Sequence, residues 1–245
     1  MLRLLIIISC LFLEACSTIP SASRWHETAF ISLREPEVWG PVVGAVLVKA
    51  QDKHISRSAR EKTPVFGSQQ EADKFSEDAK TALKQIAMLS AVVAGIQSED
   101  VGDSMTRQLF ATAFMLDVSN IAITEMKDAI SRERPDASDK RSFPSANAMT
   151  AFAGAHFTSQ NMHRQEWFKN QQWLADTLLY GTASAVAWGR VEAGRHYASD
   201  VLVGAAIGNF FASWAQLLWL DSTGRKAFTV VPDQSGISLN LSMTF

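Results

Sequence analysis

The chain has 245 residues, with 23 Lys and Arg against 25 Asp and Glu and a formal net charge of −2. That balance excludes a broadly basic nucleic-acid-binding surface. Its length and 47% hydrophobic content fit one domain with a substantial core, and two Cys are too few for a disulfide framework.

In chain order, residues 1–15 read as a bacterial lipoprotein signal peptide. Arg3 gives a positive start, residues 4–13 are apolar, and Leu13-Glu14-Ala15-Cys16 follows, with Cys16 as the lipidated residue. The apolar run is too short for a comfortable membrane span. This predicts an exported protein on the periplasmic face of the cell envelope, held to a membrane by a lipid at Cys16. Cys10 falls inside the signal, so no thiol chemistry is left for the processed chain. Residues 16–60 read as a tether and N-terminal segment. Within it, 17–35 is irregular and Ser-rich, 38–48 is a short buried helix, and 51–63 is a polar, solvated face. His54 on that face is expected to be exposed rather than a ligand.

Residues 61–222 read as a helical domain. A short helix is predicted over 68–76 and a second over 76–95, capped by Ser76-Glu77-Asp78. A third runs over 104–132 and delivers Lys127. A fourth runs over 145–163, a fifth over 171–188 with Arg190 at its end, and a last one over 198–219. Residues 201–220 carry no charge and are long enough to cross a bilayer. Lys84, Asp117, Glu125 and Asp176 interrupt the other apolar patterns, however, and mean hydropathy is only +0.01. The expectation is therefore a soluble all-α bundle around one central helix, where Gly204, Ala205, Ala206 and Gly208 permit close packing. Residues 223–245 alternate strictly at Ile237, Leu239, Leu241, Met243 and Phe245, which predicts a C-terminal β-hairpin packed on the bundle.

Three segments carry chemistry. Residues 127–135 place Lys127 and Arg134 seven apart, about two helical turns, so that both can face one cleft, with Pro135 stopping the helix. In Pro144-Ser145-Ala146-Asn147, Ser145 is placed to cap a helix whose first backbone N–H groups point at an anion. His196 and Asp200 stand at i, i+4, where a carboxylate can orient the ring. Arg matches phosphoryl oxygens two at a time and Lys adds a point charge. A held His can attack phosphorus. Singly, each feature is more often a solvated charge, a plain cap or a surface pair. Their conjunction points to phosphoryl transfer.

The pattern resembles the signature of the type 2 phosphatidic acid phosphatase superfamily, which includes the class A acid phosphatases and vanadium haloperoxidases. That signature runs K-x6-R-P, P-S-G-H and S-R-x5-H-x3-D. Lys127, Arg134 and Pro135 match the first block. Arg190, His196 and Asp200 match the third, with Gly189 where Ser is usual. The resemblance implies a helical phosphatase acting through a phospho-His196 intermediate, without metal or other cofactor, on phosphorylated small molecules or lipids. Asp200 would orient His196, while Lys127, Arg134, Arg190, Ser145 and the Ala146 N–H would bind phosphate.

The middle block departs from the signature. Asn147 stands where the family places its general-acid His. An amide has no proton to give near neutral pH. His156, nine residues on, is expected to face away. An activated substrate such as a diphosphate, whose leaving group needs little protonation, then fits better than a simple monoester. The alternative is a protein that binds phosphate or a lipid headgroup without turnover. Substrate choice is assigned to residues 136–143 and the segments before residue 80.

Overall fold

In a computed structural model, residues 20–220 are described throughout, together with the backbone of 227–233 and 236–242. The predicted signal peptide and Cys16 lie outside the described residues, as do the side chains of the C-terminal segment.

Nine α-helices of the described residues form a bundle. They are α1 (Ala22–Leu33), α2 (Pro36–Val48), α3 (Asp52–Lys62), α4 (Gln69–Ile96), α5 (Val101–Ala113), α6 (Ser119–Ile130), α7 (Ala146–His163), α8 (Gln172–Glu192) and α9 (Ala198–Ala215). Helices α7 and α9 pack on each other at the centre, flanked by α2, α4 and α8. Their contact is close because it is made by glycines. A Cβ at Gly204 would run into the Ser145 carbonyl, and one at Gly208 into the Met149 carbonyl. The small residues expected to permit close packing do so.

Several boundaries differ from the sequence expectation. The supposed tether contains α1, which is anchored by Trp25 stacking edge-on against Phe114, Trp214 and Trp219 at 5.4, 5.7 and 5.5 Å. The partners lie far along the chain, so no local pattern announces the helix. Two predicted helices merge into α4, capped by Ser68, whose hydroxyl accepts from the Glu71 N–H at 3.1 Å. Ser76, read as a cap, is buried mid-helix. The helix predicted over 104–132 is instead α5, a π-helical turn Phe114–Val118 and α6. Ser131, at φ 47°, ends α6 in the left-handed conformation with its N–H on the Lys127 carbonyl, four residues before Pro135. The polar stretch after residue 51 is α3, whose Asp52, Ser56 and Ala59 are buried on one face.

The soluble, single-central-helix expectation also fails. Three helical stretches, Gln69–Ile96, Val101–Ile130 and Ala198–Leu220, are long and apolar enough to cross a membrane. The last is 72% buried inside the protein across its apolar window, but the first two are only 22% and 28% buried. On α4, Leu83, Ala87 and Ala91 face the core while Ile86, Leu89 and Val93 face out. Leu47 of α2 and Leu178 of α8 are 73% and 62% exposed. Apolar surface on both sides of a helix is what a bilayer accommodates and water does not. The protein is membrane-associated. The helix predicted as buried at 38–48 belongs to this outer layer, with only Val38 and Ala45 inside.

Beyond the bundle, the backbone of β1 (Ala227–Asp233) pairs antiparallel with β2 (Gly236–Ser242), Val230 opposite Leu239.

Candidate active site

Four helix termini and one loop converge at one end of the bundle. Lys127 sits in the last turn of α6 and donates from Nζ to the Arg141 carbonyl at 2.6 Å. Past Ser131 the chain leaves the helix, so Arg134 is on a loop rather than two helical turns along. It is held there by Asp139, Nε to Oδ1 at 2.7 Å. Ser145 caps α7 as expected, its hydroxyl accepting from the Ala148 N–H at 3.4 Å. Ala146 is the first helical residue, and its N–H lacks an intrahelical partner by the geometry of every helix start. Arg190 lies in the last turn of α8, and Gly194, at φ 71°, turns the chain back so that the His196 N–H reaches the Arg190 carbonyl at 3.2 Å. Asp200 is in the first turn of α9.

His196 is buried, and its Nδ1 lies 2.5 Å from the Ser142 carbonyl oxygen. A carbonyl only accepts, so the neutral ring carries its proton on Nδ1 and its lone pair on Nε2. Burial pushes the imidazole well below its ordinary value, and the Arg190, Lys127 and Arg134 charges push it further. The three cations among the predicted phosphate ligands thus act on the same ring.

Asp200 does not orient that ring directly. Its Oδ2 accepts from the Ser142 hydroxyl at 2.6 Å and the Tyr197 N–H at 2.9 Å, and its Oδ1 accepts from Arg132. The carboxylate holds Ser142, and the Ser142 carbonyl holds His196. Arg132 is clamped in turn by Asp52 of α3 at 2.9 Å and lies over the Tyr197 ring at 4.0 Å. Asp52 also accepts from the Ser199 N–H at 2.9 Å. None of Asp52, Arg132 or Ser142 was singled out in the sequence. Arg132 sits inside the first block, but its partners are 80 and 68 residues away.

Helix α4 closes the other side. Asp73, Ser76 and Glu77 all accept from Arg190 Nη1, Ser76 and Glu77 at 3.1 Å each. Arg190 Nε is buried and has no hydrogen-bond partner. Asn147 donates from Nδ2 to Glu77 Oε1 at 2.6 Å, and its Oδ1 lies 3.4 Å from Lys80 Nζ. An open cleft of about 530 Å³, lined by Asp73, Glu77, Asp136 and Arg195 among others, adjoins Arg190. His156 faces elsewhere, as expected, with Nδ1 2.9 Å from the Tyr180 hydroxyl. The signal for α4 was legible in principle. Asp73, Ser76, Glu77 and Lys80 follow i, i+3, i+4, i+7 spacing, a polar stripe at the start of an otherwise apolar helix.

Three cations, a capped helix start and a buried, tautomer-fixed imidazole thus stand together at one end of the helical bundle. Residues 106–223 match the family model of the PAP2 superfamily. The chain is 28% identical over 153 residues to the lipid A 1-phosphatase of Porphyromonas gingivalis, an alignment covering 59% of this chain. That alignment spans only 33% of the relative's length. Its fold is similar to that of a transmembrane PAP2-type phosphatidylglycerolphosphate phosphatase from Bacillus subtilis. The TM-score is 0.58 at 16% identity, covering 74% of this chain and 95% of that one.

Proposed function

We propose that the protein is a membrane-bound phosphatase that removes a phosphoryl group from a phosphorylated lipid through a covalent phospho-His196 intermediate. The observation that carries this reading is the imidazole itself. The Ser142 carbonyl leaves the lone pair on Nε2, and three cations that can receive phosphoryl oxygens surround the ring. The unpartnered Arg190 Nε is one donor such an oxygen would satisfy. Relatives named for two phosphorylated lipids, together with the apolar outer surface, favour a lipid substrate.

In this mechanism Lys127, Arg134 and Arg190 draw charge off the non-bridging oxygens as His196 attacks in line, and the Ala146 N–H adds a dipole at the start of α7. Water then cleaves the phosphorus–nitrogen bond. A lipid diphosphate is the favoured substrate, because its leaving phosphate asks less of a general acid than an alkoxide does. The chain is exported, with Cys16 lipidated on the periplasmic face of a membrane. Loss of fatty-acid labelling in Cys16→Ser would support that anchor, and unchanged labelling would remove it.

The reading is tested by purified protein in detergent acting on a lipid diphosphate and a lipid monophosphate. Phosphate release is expected from both, faster from the diphosphate. Protein that binds phosphate but releases none, and gains turnover only with Asn147→His, would instead make this a binding protein.

The imidazole also sets a pH expectation. Its charged form is disfavoured by burial and by like charges, so its lone pair survives on the acid side of its ordinary value of 6.5. The acid limb of kcat/KM should therefore lie below pH 6.5. A limb at or above that value would show that His196 is not shielded as described.

A further inference from the structure

Helix α4 brings an ammonium beside Asn147, the residue that stands where the superfamily signature has a His. Lys80 Nζ donates to Glu77 Oε2 at 2.5 Å and lies 3.4 Å from Asn147 Oδ1. Glu77 is the hinge of the arrangement, since its Oε1 contacts both Arg190 Nη1 at 3.1 Å and Asn147 Nδ2 at 2.6 Å. An unbroken chain thus runs from a phosphate ligand through Glu77 and Asn147 to Lys80. Both ends of the Asn147 amide are engaged, with Nδ2 on a carboxylate and Oδ1 on an ammonium. It works as a spacer. Lys80 has three N–H donors, of which Glu77 and Asn147 take two. Its side chain is 22% exposed and its partner Glu77 lines the cleft, which leaves the third donor open to a ligand on that side.

We propose that Lys80 is the general acid of this site, protonating the leaving-group oxygen while Glu77 and Asn147 position its ammonium. The proposal rests on the His196 mechanism above. In the first step the His196 Nε2–phosphorus bond forms and the phosphorus–oxygen bond to the leaving group breaks, and a proton passes from Lys80 Nζ to that oxygen. In the second, water attacks the phosphoryl group, the phosphorus–nitrogen bond breaks, and neutral Lys80 takes the proton that water gives up. The ammonium is restored, and no other reactant is needed. Asn147 is then compatible with turnover because the acid has moved to the neighbouring helix.

The test compares an alkyl phosphate with p-nitrophenyl phosphate, whose leaving group needs no proton. In Lys80→Met, kcat for the alkyl phosphate should fall about 100-fold with little change in KM, while p-nitrophenyl phosphate stays within about 3-fold of wild type. Retained p-nitrophenyl phosphate turnover also reports that the variant is folded. Lys80→Arg keeps the charge but binds its proton too tightly to transfer it, and should not restore the alkyl rate. Asn147→His in the Lys80→Met background should restore it. Equal losses on both substrates, or full recovery in Lys80→Arg, would overturn the proposal. If His196→Gln retained wild-type rates, the underlying mechanism would fall with it; if His196→Gln is dead and Lys80→Met is unimpaired, only Lys80 is wrong.

Discussion

Substituting His196 by Gln is expected to lower turnover by about ten-thousand-fold or more, the scale of losing a nucleophile that has no substitute. Gln is the informative replacement, because its amide can keep donating to the Ser142 carbonyl that now holds Nδ1. The ring leaves, but its polar partner stays satisfied, so little stability should be lost. Among the described residues, the other buried histidine is His156, which is turned toward Tyr180 and cannot stand in. Phosphate affinity should be largely kept, since Lys127, Arg134 and Arg190 are untouched. Phosphate release measured beside equilibrium binding of inorganic phosphate separates the two effects. Full activity in His196→Gln would refute a nucleophilic role outright.

The second large effect is on stability. Arg132 stands between two buried carboxylates, Asp52 at 3% exposure and Asp200, which is fully buried. In Arg132→Met both lose their shared cation, and breaking a buried pair from one side costs about 3–5 kcal/mol. For a chain of this size that lowers the unfolding temperature by roughly 10 °C. Activity should fall as well, because Asp200 positions Ser142 and Ser142 positions His196. Arg132→Met combined with Asp52→Asn should recover part of the stability by removing one stranded charge. Thermal unfolding in detergent reads all three proteins. An unfolding temperature equal to wild type in Arg132→Met would mean that the network is not the brace described.

What the sequence disclosed, and what it hid, follows from how far apart the partners are. Lys127, Ser145, Arg190, His196 and Asp200 were legible because each lies at or beside a helix terminus with local spacing to match. The direct Asp200–His196 contact looked natural from i, i+4 spacing, yet Asp200 faces Arg132 and Ser142 instead. Such pairings are made across 68 and 58 residues and leave no local signature. Asp52 was hidden for the same reason, inside a stretch whose other charges, apart from Arg60 on the Pro135 carbonyl, face outward.

The bundle was legible and its surroundings were not. A 3.6-residue apolar period marks the face that meets the core, but it does not say whether the opposite face meets water or lipid. On α4 the answer lies in Ile86, Leu89 and Val93, which are apolar on the side away from the core. Charged residues such as Lys84 do not by themselves argue for water, because long side chains near apolar surface can reach a polar boundary. Along α7 alone Asn147 looks like a lost acid, but its amide contacts Glu77 and Lys80. Its meaning depends on Glu77 and Lys80, which approach from α4.

The most direct test of the central claim is to quench the protein during turnover of a phosphorus-labelled substrate and map the label. The account predicts a phosphoryl group on His196 that survives alkali, breaks down in acid and is missing from His196→Gln. Turnover with no label on His196, or with the label on another residue, would contradict it.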